Sequence, residues 1–203
     1  MKQTKDIILQ KSFKLFLKDN YEKVTVTDLE EVTGMKRGVI FYHARNKLQL
    51  FTMVVDKYIL SLHNPDTLPQ FHPDISLLKY IGAYIEYLQN MIQTVSKESE
   101  DQYCLKSYFQ FALQALKYYP HFSEKIEQIF SQEDAIWEKV IINARHTGEI
   151  RNIQNISETA SLFRRMYFGL SFEKSFLDGL RLSQVHQNFL LIYNLLRNSH
   201  PKL

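Results

Sequence analysis

The sequence predicts an all-α protein in which a small N-terminal three-helix domain is joined to a larger helical domain. Six glycines and five prolines occur in 203 residues, so the elements between these breakers are long, and long elements are usually helices. Apolar residues also recur at the 3.6-residue period of an α-helix through most of the chain. The 45% apolar and 23% charged contents are typical of a globular chain rather than a disordered one.

The first helix is predicted between Asp6 and Lys18. Its apolar residues lie on one face and its lysines on the other, which is the pattern of an amphipathic helix. The pattern stops at Asp19 and Asn20, and asparagine is among the few residues besides glycine that tolerate the left-handed conformation of a helix end. We therefore expect the helix to end there and the chain to turn back at Tyr21.

A short second helix is expected between residues 25 and 34. Thr25 or Thr27 can cap it by accepting a backbone N–H bond, and Asp28 lies near the positive end of the helix. Gly34 follows a few residues later as a typical C-terminal stop.

Two further helices are predicted before the first proline. Residues 35–43 form a short third helix with Met35 and Ile40 available to face the core. Asn46 then caps a fourth helix, whose apolar residues again follow the helical period. These residues are Leu50, Phe51, Val54, Val55 and Tyr58.

The stretch from Asn64 to Pro73 is the predicted connecting loop, because it holds three prolines and shows little periodicity. We expect one domain over residues 1–46 and the larger domain over 47–203, with 47–63 as a connecting helix. Beyond the loop the pattern predicts five long helices, at roughly 74–96, 101–118, 123–147, 157–179 and 182–198.

The two short helices around Gly34 have the layout of a helix-turn-helix, whose second helix lies in the major groove of DNA. The start of that helix approaches phosphates and base edges, which requires small or basic residues. Arg37 can donate a bidentate pair to guanine, and Gly38 lets the backbone approach the groove floor. The predicted DNA-contacting residues are Thr25, Thr27, Lys36, Arg37, Gly38, Tyr42, His43 and Lys47.

A helix–glycine–helix pattern also occurs in helical hairpins that bind no DNA, so the distribution of charge matters. Residues 1–57 contain 11 Lys and Arg against 7 Asp and Glu, whereas the rest of the chain contains 14 against 15. The basic excess of the chain, +3 overall, therefore lies in its first quarter. That is where contact with nucleic acid is expected, if there is any.

Residues 7–51 resemble the DNA-binding domain of the TetR family of bacterial repressors, without a gap. The resemblance implies a repressor-like dimer that binds operator DNA and is released by a small-molecule ligand held in the larger domain. Gly148-Glu149-Ile150-Arg151 also resembles a looser pattern that is common in the C-terminal domain of that family. The residues that carry the N-terminal resemblance are Ile8-Leu9, Leu15-Phe16, Asn20-Tyr21, Thr25-Val26, Asp28-Leu29, Thr33-Gly34-Met35, Gly38, Ile40-Phe41-Tyr42-His43, Lys47 and Leu50-Phe51.

Several positions depart from the family pattern. Asn20 stands in place of a usual glycine, which its tolerance of the left-handed conformation allows. Phe41 stands where the family usually has a tyrosine whose hydroxyl touches phosphate, so that contact is either missing or made by Tyr42. Ala44 replaces a usual phenylalanine and Glu30 a usual small residue, which leaves the packing around the recognition helix open.

The larger domain is rich in aromatic residues at helical spacing. Such stripes are usually core, yet buried tyrosine hydroxyls need partners, and many of them favour a cavity with polar points. The resemblance places a ligand pocket among the helices that start near 74, 101, 123 and 157, and bile acids, drugs, fatty acyl groups and flavonoids would suit it equally. Its candidate lining residues are Tyr84, Tyr108, Phe111 and Trp137.

The last two helices are apolar over wide faces, which must be buried in the same chain or against a partner. The resemblance implies that these helices form a four-helix interface with their mates in a homodimer. The candidate interface residues are Phe163, Tyr167, Leu170 and Phe189.

Two other classes of function compete with this interpretation. An enzyme is disfavoured because the sequence has no nucleophile elbow, phosphate loop, metal spacing or helix-borne carboxylate pair. An adaptor whose basic end binds a membrane surface or an acidic protein predicts no dependence on DNA sequence. We expect no cofactor, no metal and a cytoplasmic location, since no leader or membrane span is visible. We also expect Cys104 to be a small core residue rather than a sensor thiol.

Overall fold

The structure, a computed structural model, describes residues 2–99, 105–177 and 179–198. In these ranges the chain forms nine α-helices, and one isolated antiparallel bridge pairs Ile150 with Arg197. The predicted all-α class is confirmed. The helices are α1 (Lys2–Lys18), α2 (Val26–Thr33), α3 (Arg37–His43), α4 (Lys47–Val55), α5 (Leu77–Ser99), α6 (Leu105–Tyr118), α7 (Phe122–His146), α8 (Ile156–Ser175) and α9 (Leu182–Leu196).

Helices α2 to α4 lie close to where the periodicity places them, and side chains cap two of them as predicted. Helix α1 begins at Lys2, four residues before the predicted Asp6, and Asn20 after it does not adopt the predicted left-handed conformation. Thr25, the first of the two candidate residues, caps α2. The Asn46 side chain caps α4 by accepting a 2.8 Å hydrogen bond from the Gln49 N–H. The chain continues from α4 without a break into a single π-helical turn, Asp56–Leu60.

Helix α5 begins three residues later than the predicted position 74, because its first turn is capped by a residue far away in sequence. The Glu149 carboxylate accepts hydrogen bonds from the backbone N–H groups of Leu77 at 2.7 Å and Leu78 at 3.1 Å. Such a cap satisfies amides that no preceding helical turn can reach. The sequence around residue 77 does not reveal this cap, because Glu149 is 72 residues away.

One predicted helix end differs from the structure, and one predicted helix start lies outside the described residues. Helix α8 ends at Ser175 rather than at 179, and the N–H of Gly179 bonds to the carbonyl of Lys174 at 3.2 Å in the turn that follows. The predicted start of the sixth helix at 101 lies outside the described residues, as does Cys104.

The chain divides into two compact units. The first unit comprises Met1–His63 and Ile92–Ile126, and the second comprises Asn64–Met91 and Glu127–Leu203. The boundaries fall within α5 and α7, so these two helices contribute residues to both units. The domain limits predicted from sequence, 1–46 and 47–203, remain a prediction.

Aromatic rings fill the core of the first unit. Phe13 of α1 stacks on Tyr58 with ring centroids 4.0 Å apart, and Phe111 of α6 meets Phe13 edge-on at 5.6 Å. Phe51 of α4 contacts the same Phe111 at 5.5 Å. Helices α1, α4 and α6 are therefore joined through one aromatic cluster, against which the short helices α2 and α3 are anchored by Leu29 and Ile40.

The core of the second unit is built around a single tryptophan. Trp137 of α7 stacks on Phe163 of α8 at 4.4 Å and meets Tyr80 of α5 edge-on at 4.7 Å. Phe189 of α9 packs on Phe163 at 5.3 Å. All four side chains are fully buried, so they hold α5, α7, α8 and α9 together.

The described ranges contain neither a candidate membrane span nor a candidate metal cluster. Within them, no helix combines the length and the apolar character that crossing a bilayer requires. Nor does any group of three or more His, Cys, Asp or Glu side chains there lie close enough together to bind a metal ion.

Candidate functional site

Helix α2 begins with a reciprocal cap. The Thr25 hydroxyl accepts a 3.2 Å hydrogen bond from the Asp28 N–H, and the Asp28 carboxylate accepts a 2.8 Å bond from the Thr25 N–H. These bonds to Thr25 hold the pKa of Asp28 below its ordinary value. The cap fixes where α2 starts, and it leaves Thr25 and Thr27 exposed at that end of the helix.

The turn between α2 and α3 depends on Gly34 and Glu30. Gly34 adopts a left-handed conformation, with φ +69°, and its N–H bonds to the carbonyl of Glu30 at 2.9 Å. The carboxylate of Glu30 reaches forward and accepts a 2.7 Å bond from the N–H of Arg37, the first residue of α3. Sequence analysis gave Glu30 only as a departure from a family pattern. Its role is to cap the third helix across the turn.

Helix α3 turns one apolar residue inward and its polar residues outward. Ile40 is fully buried, whereas Lys36, Arg37 and Gly38 are exposed and 72% of Tyr42 is accessible to solvent. Five of the predicted DNA-binding residues lie on α3 or next to its start. Three of them are together at its exposed N-terminal end, and Tyr42 is exposed one turn later. The fifth, His43, is half-buried and lies edge-on to the Tyr42 ring at 5.2 Å.

Gly38 has no role in internal packing. Among the residues that the structure describes, no atom outside the local helix backbone lies within 4 Å of a Cβ atom placed on it. Because Gly38 has no side chain, another molecule can approach its backbone closely.

Lys47 is placed differently from the other predicted contacts. Its ammonium donates hydrogen bonds to the backbone carbonyls of Tyr21 at 2.9 Å and Val24 at 2.8 Å, and it lies 4.4 Å from the centre of the Tyr21 ring. Two of its three N–H donors therefore tie the start of α4 to the segment between α1 and α2.

The same segment is tied to α6. The Tyr21 N–H donates a 2.6 Å hydrogen bond to the side-chain oxygen of Gln114. Lys117 forms a 2.9 Å ion pair with Glu22, whose carboxylate also accepts a bond from the Tyr118 hydroxyl. These two partners lower the pKa of Glu22, the hydrogen bond from Tyr118 having the larger effect. Sequence reasoning missed this network, because its members lie about ninety residues apart.

The four candidate ligand residues are not brought together in one unit. Tyr84 and Trp137 lie in the second unit with ring centroids 5.0 Å apart. Tyr108 and Phe111 lie in the first unit, where the Tyr108 hydroxyl donates to the carbonyl of Tyr58 at 3.0 Å. Phe111 belongs to the aromatic cluster of that unit.

A buried carboxyl group accompanies Tyr84 and Trp137. Glu133 of α7 is 5% exposed, and its carboxyl accepts a 2.5 Å hydrogen bond from the Tyr84 hydroxyl. Burial among these rings raises the pKa of Glu133 from its ordinary value to about 7. Sequence analysis missed Glu133, although its position one helical turn before Trp137 places both on one face of α7.

The candidate dimer residues lie deeper than the sequence predicts. Phe163 and Phe189 are fully buried within the single chain, and they have no surface left for a partner. Tyr167 is 6% exposed, and Leu170 is half-buried against the same core. The amphipathic pattern identified the inward faces of α8 and α9. The apolar residues that remain exposed on these helices and the turn after α8 are Leu162, Phe172, Phe176, Leu177, Leu191 and Leu195.

These features define a helix-turn-helix domain: a short capped helix, a left-handed glycine turn and a second short helix with exposed basic residues at its start. Residues 8–54 match the family model described as bacterial regulatory proteins of the tetR family. A relative from Escherichia coli K12, the HTH-type transcriptional repressor ComR, is 40% identical over 55 residues, which are 27% of this chain and 26% of that protein. The match thus spans about a quarter of the relative's length.

Solved structures share the fold along nearly the whole chain. A TetR-family regulator from Agrobacterium tumefaciens is 16% identical, with a TM-score of 0.66 and 97% and 99% of the two chains covered. A complex of SmeT with triclosan is 13% identical, with a TM-score of 0.65 and 99% and 95% covered. Residues 8–54 therefore belong to the DNA-binding domain of the tetR family, and the rest of the chain shares its fold with the solved structures.

Proposed function

We propose that this protein is a sequence-specific DNA-binding transcriptional regulator, a repressor that a small-molecule ligand releases from its operator. The proposal rests mainly on the exposed start of α3. Lys36, Arg37 and Gly38 are open to solvent there and take no part in the packing of the described residues. Arginine and lysine side chains there can donate to guanine and phosphate, and the open glycine allows close approach to the groove.

The surroundings of α3 support this role. Ile40 and the Glu30 cap fix the helix from both sides, so its outward side chains are presented in one orientation. Thr25 and Thr27 are exposed at the start of α2. With α3 in the major groove, they can contact the phosphate backbone beside that groove. Lys47 contributes mainly by holding the α1–α2 segment, with one N–H donor left for a phosphate.

A second copy of this chain is the proposed partner for the exposed apolar face of α8 and α9. Leu191 and Leu195 are each 60% exposed, and they lie one turn apart on α9. Burial of such a face against its symmetry mate gives a two-fold dimer, which matches a DNA site with two inverted halves. Light scattering of the parent against a Leu191→Glu, Leu195→Glu double variant tests this; a dimer that survives both charges refutes the interface.

The proposed ligand is a small apolar or aromatic molecule bound in the second unit. Tyr84 and Trp137 support this assignment because they meet beside a buried polar group. A TetR-like fold also holds triclosan in the SmeT complex. We propose no catalytic activity, no cofactor and a cytoplasmic location for the protein.

Selection from a library of random DNA duplexes tests the DNA-binding role. The dimer should enrich one near-palindromic sequence, because each protomer reads one half-site with the same α3 residues. Enrichment of a single half-site would show binding as a monomer. If no sequence is enriched above the starting library, the protein does not read DNA sequence and the proposal is wrong.

A further inference from the structure

The carboxyl group of Glu133 has an unusual place in the second unit. It is 5% exposed among aromatic side chains, and within the described part of the chain the Tyr84 hydroxyl is the one group that hydrogen-bonds to it. A buried carboxyl is normally paired with a cation or with several donors, because losing its hydration otherwise disfavours its charge.

The cationic side chain that acts on Glu133, Arg164, already has a carboxylate partner. The guanidinium of Arg164 forms a two-pronged bond with the neighbouring Asp134, at 2.8 and 2.6 Å. The side chains of Arg164 and Asp134 are 12% and 21% exposed, so this pair is largely internal and balances its own charge. The charge of Arg164 offsets part of the rise that burial causes in the pKa of Glu133, but among the described residues Glu133 has no ion-pair partner.

Two further polar groups beside Glu133 lack partners. The indole Nε1–H of Trp137 and the hydroxyl of Tyr80 are buried, and among the residues that the structure describes neither makes a hydrogen bond. Trp137 lies one turn after Glu133 on α7, and Tyr80 lies one turn before Tyr84 on α5, so all four share the facing surfaces of two helices. A core that served packing alone would place phenylalanine at both positions.

The rings around the carboxyl also favour a positive charge. The centroids of Tyr80 and Tyr84 lie 4.7 and 5.0 Å from that of Trp137. The faces of tryptophan and tyrosine rings attract cations. Phe163 covers one face of Trp137, so this attraction would come from the other face of Trp137 and from the two tyrosines. A carboxylate, electron-rich rings and an unused N–H donor are together the complement of an organic cation that carries an acceptor atom near its charge.

We propose that the second unit binds an amphipathic organic monocation, an amine or quaternary ammonium with an oxygen acceptor a few carbons from the nitrogen, with Glu133 as its counter-ion and Trp137 Nε1–H as donor to the oxygen. This inference rests on the proposed function, because the cation would be the ligand that releases DNA. An anion would be repelled by Glu133, and a neutral ligand would leave the carboxyl as it is.

Calorimetric titration with three matched probes tests the proposal. The probes are 4-phenoxybutylammonium, 4-phenoxybutanol and 4-phenoxybutyrate, which share a ring and an ether oxygen and differ in the charge of one end. The parent should bind the ammonium at least about tenfold more tightly than the alcohol, with the carboxylate weakest. Equal affinities, a preference for the carboxylate, or no binding of the ammonium at millimolar concentration would overturn the proposal.

Two variants assign the preference to particular residues. Glu133→Gln keeps an acceptor for Tyr84 and should lose the preference for the ammonium while binding the alcohol as before. Glu127→Gln changes an exposed carboxyl of the same helix and should leave all three affinities unchanged. Trp137→Phe keeps a ring but lacks the N–H, and it should weaken all three probes by a similar factor. A Glu133→Gln variant that retains the ammonium preference contradicts the assignment.

Proton release gives a second readout that needs no variant. Burial holds the pKa of Glu133 at about 7, so part of the population is protonated at pH 7. A fixed cation, (4-phenoxybutyl)trimethylammonium, should favour the ionised form and release a fraction of a proton. Calorimetry in two buffers of different ionisation enthalpy measures that fraction, and a value of zero for the parent would contradict the role of Glu133.

The groups that face Glu133 do not obscure this measurement at pH 7. Asp134 is bonded to Arg164, and α9 contributes the apolar Phe189. Burial raises the pKa of every tyrosine nearby, so each stays protonated; these are Tyr80, Tyr84, Tyr87 and Tyr167.

The outcomes for this site and for DNA binding are separable. Ammonium binding by a protein that selects no DNA sequence would refute the regulatory function and leave the site. Operator binding by a protein that does not distinguish the three probes would refute the site and leave the function.

Discussion

Helix α3 and helix α7 display their polar groups in opposite surroundings. At the start of α3 the charged side chains of Lys36 and Arg37 are exposed to solvent, and the one fully buried residue of this helix, Ile40, is apolar. On α7 the acidic Glu133 and the indole N–H of Trp137 are buried, and most of the exposed positions carry polar residues. The difference reflects the proposed ligands, because a polyanion is met by exposed charges whereas a small molecule must be enclosed.

The two surroundings also imply different costs for a substitution. Removing an exposed side chain of α3 should change binding and leave the fold intact. Removing a side chain around Trp137 should change stability first, because that cluster joins four helices.

The largest effect is expected for Phe163→Ala, which removes a fully buried ring stacked on Trp137. The lost contacts and the resulting cavity should lower the free energy of unfolding by about 3–5 kcal/mol. Urea denaturation followed by circular dichroism measures this loss. The matched control is Leu78→Ala in the same unit, where 44% of the side chain is exposed and the expected loss is under about 1 kcal/mol. Comparable losses for the two variants would contradict the packing described here.

The next effect concerns the pH dependence of stability that Glu133 causes. Its pKa is about 7 in the folded chain against an ordinary value of 4.5, so the folded state holds the proton more tightly. The protonated group therefore contributes stability that is fully present below pH 4.5 and is lost as the pH rises through 7. A pKa difference of this size corresponds to about 3 kcal/mol.

Urea unfolding of the parent and of Glu133→Gln, each at pH 4.5 and pH 8, isolates this contribution. Relative to the variant, the parent should be less stable at pH 8 by up to about 3 kcal/mol more than at pH 4.5. Since other groups titrate equally in both proteins, their effects cancel in the difference. A parent that gains stability over the variant as the pH rises would show that Glu133 is ionised and well paired.

A smaller effect is expected at the exposed region, for Arg37→Ala. It should weaken binding to the selected operator by roughly 1–3 kcal/mol and relax the preference for one base in each half-site. Its unfolding should match that of the parent, since Arg37 is exposed. Lys79→Ala, which removes an exposed lysine of α5, is the control for a simple loss of charge. If both variants bind like the parent, α3 does not read the DNA.

The smallest effect is expected for Gly34→Ala. The space around Gly34 is open, but its φ of +69° lies in the left-handed region that alanine adopts only with strain. Unfolding should therefore become easier by about 1 kcal/mol. Thermal denaturation can resolve this, and Gly38→Ala serves as the control, because Gly38 has equal space and no such strain. Equal stability of the two variants would contradict the strained turn.

The N-terminal helices could be predicted closely because their limits are encoded locally. Thr25, Gly34 and Asn46 cap or end helices through their own side chains or backbone conformation, within three residues of the position they affect. The start of α5 could not be predicted, because Glu149 caps it from 72 residues away in sequence.

The sites divide in the same way. Lys36 and Arg37 could be proposed as DNA contacts from the sequence, because a charged residue at an exposed helix start needs no distant partner. Glu133 was not recognisable, since a single Glu in an amphipathic helix is normally on its solvent face. Likewise, helical periodicity places Phe163 and Phe189 on apolar faces without showing whether the same chain or another copy covers them.

We propose that α3 contacts DNA phosphates through its exposed cations, whereas the second unit makes no such contact. Titration of the selected operator at several salt concentrations tests it most directly, because each phosphate contact adds about −0.9 to the slope of log affinity against log salt. With on the order of six phosphate contacts per dimer, the parent should show a slope of about −5. Lys36→Ala should flatten the slope, and Glu133→Gln should leave it unchanged. A slope near zero for the parent, or equal slopes for the parent and Lys36→Ala, would contradict the claim.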